Sequence, residues 1–155
     1  MAAMTDVATL FGRLSRVPGG RWAFSRAFCR RAPYFGTIRP SVRVVGPGRA
    51  EVALPKRRAV ENHVGTVHVI AVLNGLEAAM GLLAEATVPA GMRWIPKGME
   101  VSYVAKASYD LMCIAESDVA LWTTPGDVPV RVRAVRDDGT VVVEGTISVY
   151  VSAKA

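Results

Sequence analysis

The sequence predicts an α+β domain: a curved antiparallel β-sheet wrapped around one long central helix, with an extra helical segment ahead of it. Three observations carry this expectation. Residues 62–86, NHVGTVHVIAVLNGLEAAMGLLAEA, place apolar side chains nearly all round a helix from about residue 67, as a buried helix does. Strand signals come before that helix and then in a run after it, the order of an antiparallel sheet packed on a helix. The last two strands also form a hairpin. Val128, Val130, Val132 and Ala134 alternate with Pro129, Arg131 and Arg133; Asp137-Asp138-Gly139 turns the chain; Val141, Val143, Gly145, Ile147, Val149 and Val151 return.

The elements follow in order. Residues 5–31 read as helical in two pieces. TDVATLFGRLSR opens with Thr5 as N-cap, and Asp6 suits the first turn. VPGG breaks the helix. RWAFSRAFCRR resumes it, with Trp22, Phe24, Ala27 and Phe28 among arginines. Two readings fit this piece: an amphipathic helix laid on the main body, or one lying on a membrane surface. APYFGTIRP reads as a linker, which divides the chain into a helical extension, 1–37, and a main domain, 38–155. Two short strands are expected at 41–45 and 49–54, around Gly46-Pro47-Gly48. KRRAVENHVG is a loop. Beyond the helix, predicted over 67–86, strands are expected at 92–106 (interrupted at 96–98), 108–124, 128–136 and 140–152. No repeat or low-complexity segment interrupts this order.

Length and composition narrow the function classes. A chain of 155 residues favours one domain, large enough to bury its core without staples. Cys29 and Cys113 cannot build a disulfide framework, and without a CxxC or Cys/His cluster no metal site is expected. They read as structural thiols in a reducing compartment. The N-terminus shows no apolar run of secretory-signal length. The stretch nearest to a membrane span, 64–83, contains His68, Asn74 and Glu77, so insertion would be costly and no integral membrane segment is expected. These observations predict a soluble cytoplasmic protein.

The net charge of +6 is unevenly placed, at +10 over residues 1–58 and −4 over 59–155. That asymmetry suggests an anionic partner or contact between the halves. The arginines lack regularly spaced stacking aromatics and any nucleic-acid-binding module, so nucleic acid is not expected. A phosphate-bearing small molecule is the less demanding partner.

Glu77 is the residue the helix has to explain. It shares a face with Leu73, Asn74, Met80 and Gly81. An unpaired carboxylate taken out of water costs several kcal/mol, and no Lys or Arg lies between Arg58 and Arg93. Either Glu77 reaches a strand arginine or the protein edge, or it is held in a cleft for base or nucleophile work. A cap at Thr66 or nearby would leave backbone N–H groups free around residues 67–69, where the helix dipole favours a developing oxyanion. Val69 and Glu77 are eight residues apart, roughly 12 Å along a helix. One helix therefore cannot offer both groups to the same atom. Two antiparallel copies can, so a catalytic Glu77 implies a homodimer with shared sites.

The spacing NHVGTVH followed by Glu77 resembles the hot-dog thioesterases, especially the phenylacetic-acid-degradation type, in which Asn or Gln, His six residues on and Asp or Glu nine further recur. Asn62, His68 and Glu77 match it. The flanks PYFGTIRP, PKRRAVENHVGTVH and RWIPKGMEVSYVAKA are similar to an uncharacterised bacterial branch of that superfamily. The resemblance covers roughly residues 38–153. It implies a hot-dog fold and an acyl-CoA thioesterase. Glu77 would be nucleophile or general base and the Val69 N–H would polarise the thioester carbonyl. Asn62 would orient water or the carbonyl, His68 would shape the helix start, and Gly65 would permit the tight loop before it. Coenzyme A would arrive as part of the substrate, with no separate cofactor. Its phosphates would meet Lys56, Arg57, Arg58 and Lys97, with Lys106 a further candidate. A homodimer is implied, with pairing into tetramers left open.

Two departures stand out. The Gly-Gly common after the histidine is Val69-Ile70 here, and a position where some members hold water with a hydroxyl is Gly81. They favour the competing reading of a non-catalytic acyl-binding protein. A hydratase or dehydratase would pair His63 with Glu77, but the phenylalanine and prolines expected around such a histidine are missing from ENHVGTVHVI.

Overall fold

The computed structural model describes residues 6–155. Helix α1 (Val7–Leu14) is capped by Asp6, whose Oδ1 accepts from the Ala8 N–H at 3.3 Å. Thr5, expected as the cap, lies outside the described residues. Gly19, at φ +74°, turns the chain into α2 (Gly20–Arg31). Phe11 and Phe24 meet edge to face, ring centroids 5.1 Å apart, and both are buried in the same core as the sheet. The helices lie on the main body. The Ser25 hydroxyl accepts from the Val42 N–H at 3.0 Å, tying α2 to the first strand. The expected linker is a 3-10 helix, Pro33–Ile38. It is ordered because Ile38, 2% exposed, closes the core above it.

Six strands make one antiparallel sheet: β1 (Ser41–Gly46), β2 (Arg49–Leu54), β3 (Met92–Tyr103), β4 (Leu111–Glu116), β5 (Gly126–Val135) and β6 (Val141–Ala153), in the order β1-β2-β4-β5-β6-β3. Register shifts near Val42, Lys97 and Val135 mark bulges, which bend strands and help the sheet to curve. The strand expected over 108–124 stops at Glu116. Beyond it Asp118 caps a 3-10 helix, Val119–Trp122, accepting from the Ala120 N–H at 3.0 Å. The chain leaves the sheet there so that Trp122 can be fully buried, its Nε1 donating to the Ser117 hydroxyl at 3.1 Å.

Helix α3 (Val69–Thr87) crosses the concave face, chiefly over β2 and β4. By length and a mean hydropathy of 1.5 it would suit a membrane, but 61% of that window is buried inside the fold. Val72, Leu76 and Leu83 are fully buried, each worth about 1.5–3 kcal/mol. The helix approaches β4 closely at Gly75, where a Cβ would stand 2.6 Å from Cys113 Sγ. Gly75→Ala is therefore expected to destabilise, because overpacking (about 1–3 kcal/mol) outweighs the gain in helix propensity of about 1 kcal/mol. Combined with Cys113→Ala, which removes the obstructing sulfur, the same change should stabilise. Urea denaturation of the four proteins of that double-mutant cycle reads the reversal of sign.

Contact between the basic and acidic halves is real but partial. Arg49 crosses to Glu116 and Lys56 to Glu61, while Arg133, from the acidic half itself, also binds Glu116 at 2.6 Å. The Arg133 hydrogen bond, aided by attraction to Arg133, Arg49 and Arg131 against the cost of partial burial, holds the Glu116 carboxyl below its usual range. A lowered folded-state pKa stabilises fully above the unfolded value, about 4.3. That stabilisation is lost as pH falls through the folded value. Glu116→Gln should thus flatten the acid limb of stability against pH, which urea melts between about pH 6 and pH 3 measure.

Candidate active site

The start of α3 is built by a five-residue loop, 62–66. Asn62 organises it: its side-chain oxygen accepts from the Val64 and Thr66 N–H groups, both at 3.1 Å, and its Nδ2 donates to the Thr66 hydroxyl at 2.8 Å. Gly65 sits at φ +78°, a conformation that favours glycine. The loop is closed by a bridge between Glu61 and Val67.

The helix begins at Val69, two residues later than the sequence suggests, and its N-cap is His68. The shift follows from where the amides go. The Val67 N–H donates to the Ala107 carbonyl at 2.9 Å and the His68 N–H to the Val60 carbonyl at 2.7 Å. Neither is free, contrary to expectation. His68 Nδ1 accepts from the Ile70 N–H at 3.1 Å, which places the proton of the neutral ring on Nε2. The Ala71 and Val72 N–H groups bond the His68 carbonyl. One amide of this helix start, that of Val69, has no partner among the described residues. His68 thus leaves a single donor at the positive end of a 19-residue helix.

That donor borders a cavity of about 280 Å³, lined by Asn62, His63, His68, Val69, Tyr103 and Lys106 among others. Its far wall is the end of β3 together with Val142 and Val143 of β6. The wall arises from strand pairing: Tyr103 lies opposite Val143 in the β3–β6 ladder. Nothing local in the sequence singles out Tyr103, which lies within YVAKA, one of the stretches that carry the resemblance.

Glu77 stands two turns further along α3, half-buried, and does not line this cavity. No strand arginine reaches it; among the described residues its carboxylate has no hydrogen bond or ion pair. Its stripe of the helix continues through Gly81 and Glu85 and faces β3. A Cβ on Gly81 would meet the Trp94 ring at 3.7 Å, and Trp94 Nε1 donates to Glu85 at 3.0 Å. Asn74, one turn before Glu77, is buried and donates to the Tyr34 carbonyl at 3.3 Å and the Thr37 hydroxyl at 3.2 Å, pinning the 3-10 segment to the helix.

The expected phosphate ligands differ in their engagements. Lys56 pairs with Glu61 at 3.0 Å and Lys97 with Asp127 at 2.8 Å. Arg57 donates to the Thr37 carbonyl. Arg58 is exposed and, with Gly65, His63 and Asn62, borders a second hollow beside the first. Burial pushes the Cys113 thiol up to about 12, so it is no nucleophile. Among the described residues no three His, Cys, Asp or Glu side chains are grouped to hold a metal.

Residues 20–151 match a family described as a domain of unknown function, DUF4442. The chain belongs to that family. The match begins inside the helical extension and ends in β6. Among solved structures, one from a genomics programme, APC5556, is 40% identical, with a TM-score of 0.83, covering 96% of this chain and 99% of that one. A protein of unknown function from Pseudomonas aeruginosa, described as a probable thioesterase, is 17% identical at a TM-score of 0.76, covering 89% and 97% of the two chains. A thioesterase family protein from Silicibacter pomeroyi is 21% identical at 0.68, covering 84% and 96%. No curated protein matches the chain. The DUF4442 chain therefore has the hot-dog fold of thioesterase-family proteins, as the resemblance implied.

Proposed function

We propose that this DUF4442 protein hydrolyses an acyl-CoA thioester in the cytoplasm, as a homodimer joined along β3. The observation that carries the reading is the unpartnered Val69 N–H at the start of α3, opening on a cavity. A thioester carbonyl placed there would be polarised by that amide and the helix dipole. The Glu77 carboxylate would take a proton from water as its oxygen attacks the carbonyl carbon and return it to the departing sulfur, releasing the free acid and the thiol of coenzyme A. If it attacks directly, the thiol leaves first and water then hydrolyses the mixed anhydride to the free acid.

Glu77 cannot serve the Val69 of its own chain, since eight residues of helix separate them by roughly 12 Å. A second copy removes the difficulty. β3 is an edge strand of 12 residues with exposed Ile95 and Tyr103, paired on one side by β6. The opposite edge, β1, is flanked by the N-terminal helices. The backbone edge of β3 away from β6 is open to pairing with another chain on either side of the bulge at Pro96–Gly98, and the Glu77 stripe faces it. Arg58 and Lys106, both exposed beside the cavity, suit the phosphates of coenzyme A.

The competing reading, an acyl-CoA binder without turnover, draws on Gly81, which abuts Trp94 and offers no hydroxyl to hold water beside Glu77. Free-thiol release from a panel of short, branched, aromatic and long acyl-CoAs separates the two. Turnover on one class supports hydrolysis. Binding without thiol release supports the second reading. Hydration of an enoyl-CoA without thiol release overturns both in favour of a His63–Glu77 hydratase. Sedimentation as a monomer overturns the shared site.

A further inference from the structure

The charge asymmetry of the sequence is not used up by the proposed active site. Between residues 6 and 43 there are eight arginines and one acid, Asp6. Asp6 is occupied at the start of α1, bonding the Ala8 N–H and the Thr9 hydroxyl. Arg49 and Lys56 further on find carboxylates. Among the described residues none of the arginines from 13 to 43 does.

Three of them, Arg26, Arg30 and Arg39, gather round a cleft of about 350 Å³ between α2 and the start of β1. No carboxylate lines it; Trp22, Ser25 and Cys29 do. Trp22 is 69% exposed, and the Arg26 guanidinium lies 5.5 Å from its ring centroid. Arg39 ends the 3-10 helix in the left-handed region, at φ +48°, its N–H donating to the Gly36 carbonyl. The cleft sits at the β1 edge of the sheet, whereas the α3 cavity is walled by β3 and β6 at the other.

We propose that this cleft binds a phosphate monoester. Guanidinium forks match phosphate oxygens in pairs. A concave wall of one charge sign focuses the field on an anion. Arg26 lies over one face of the Trp22 ring, and the opposite face of this exposed side chain offers a flat surface on which an aromatic group joined to the phosphate can stack. The site is separate from the α3 cavity and does not depend on thioester hydrolysis.

Titration of the full chain with adenosine 5′-monophosphate, followed by isothermal calorimetry and tryptophan fluorescence, tests it. Adenosine, inorganic phosphate and phosphatidylcholine vesicles with and without phosphatidic acid run beside it. Saturable binding of the monophosphate is expected, adenosine not binding, with affinity falling as salt rises. Arg30→Gln and Arg39→Gln should each weaken it about tenfold, and Trp22→Phe should remove the fluorescence response while retaining the heat. Thermal melts establish that the variants fold. Arginine-dependent binding to phosphatidic acid vesicles alone would assign the phosphate to a lipid headgroup and support the site. Absence of saturable binding in every arm, or binding unchanged in both arginine variants, overturns it.

Discussion

Glu77→Gln is expected to lower kcat for thioester hydrolysis by about 10²–10⁴-fold, the usual contribution of a positioned base. Loss of a nucleophilic carboxylate would put the effect at the upper end or beyond. The reason is local. Glu77 is half-buried on α3, faces the β3 side and has no hydrogen bond or ion pair among the described residues. Gln keeps the shape and removes the charge. Since no partner is lost, stability should stay within about 0.5 kcal/mol or rise. Thiol release, a thermal melt and binding of a non-hydrolysable acyl-CoA together read the outcome: activity gone, fold and binding kept. A variant that turns over at the wild-type rate would remove Glu77 from the chemistry. Equal losses in activity and Tm would make it structural.

Gly145→Ala is expected to be the most damaging single-atom change in the sheet, costing on the order of 3–5 kcal/mol. Gly145 lies on β6 opposite Val101 of β3. A Cβ there would stand 2.0 Å from the Glu100 carbonyl oxygen and 2.7 Å from the Val101 Cα. Both obstacles are backbone, so no rotamer change relieves them. The strands must separate or the ladder must slip. For a chain of this size the loss corresponds to a Tm lower by roughly 10 °C or more. The damage would not stop at stability. β3 carries Tyr103, which walls the cavity beside Val69, and Trp94, which meets Gly81 and Glu85. Detaching β3 should therefore also abolish thioester hydrolysis and weaken self-association. A Gly145→Ala protein with wild-type Tm would show the β3–β6 ladder to be more compliant than its packing indicates.

Much of this architecture is legible along the chain because it is periodic. Alternation in β5 and β6 and the all-round apolar helix report which faces are buried, and burial repeats every two residues or every turn. The segments that read poorly are those where one side chain overrules local preference. Residues 117–124 continue an apolar pattern, yet Trp122 and its Asp118 cap pull them out of the sheet. PYFGTI carries turn residues and reads as a linker, yet Ile38 and the bonds from Asn74 fasten it to α3. The helix start shows the same limit at finer scale. The sequence places a cap near Thr66, while bonds to Val60 and Ala107 hold the next two residues extended and pass the cap to His68.

The sequence by itself determined the fold class, the central buried helix, the loop residues Asn62 and Gly65, and a carboxylate at Glu77 with no cation within reach along its own helix. These are local matters of periodicity, turn conformation and the absence of nearby cations. Only the tertiary structure decided which amide remains free, that Tyr103 and Lys106 face it, and that Lys56 and Lys97 already hold carboxylates. Those outcomes depend on which groups from distant strands arrive first at each donor and acceptor, and a hydrogen bond made in one place is unavailable in another.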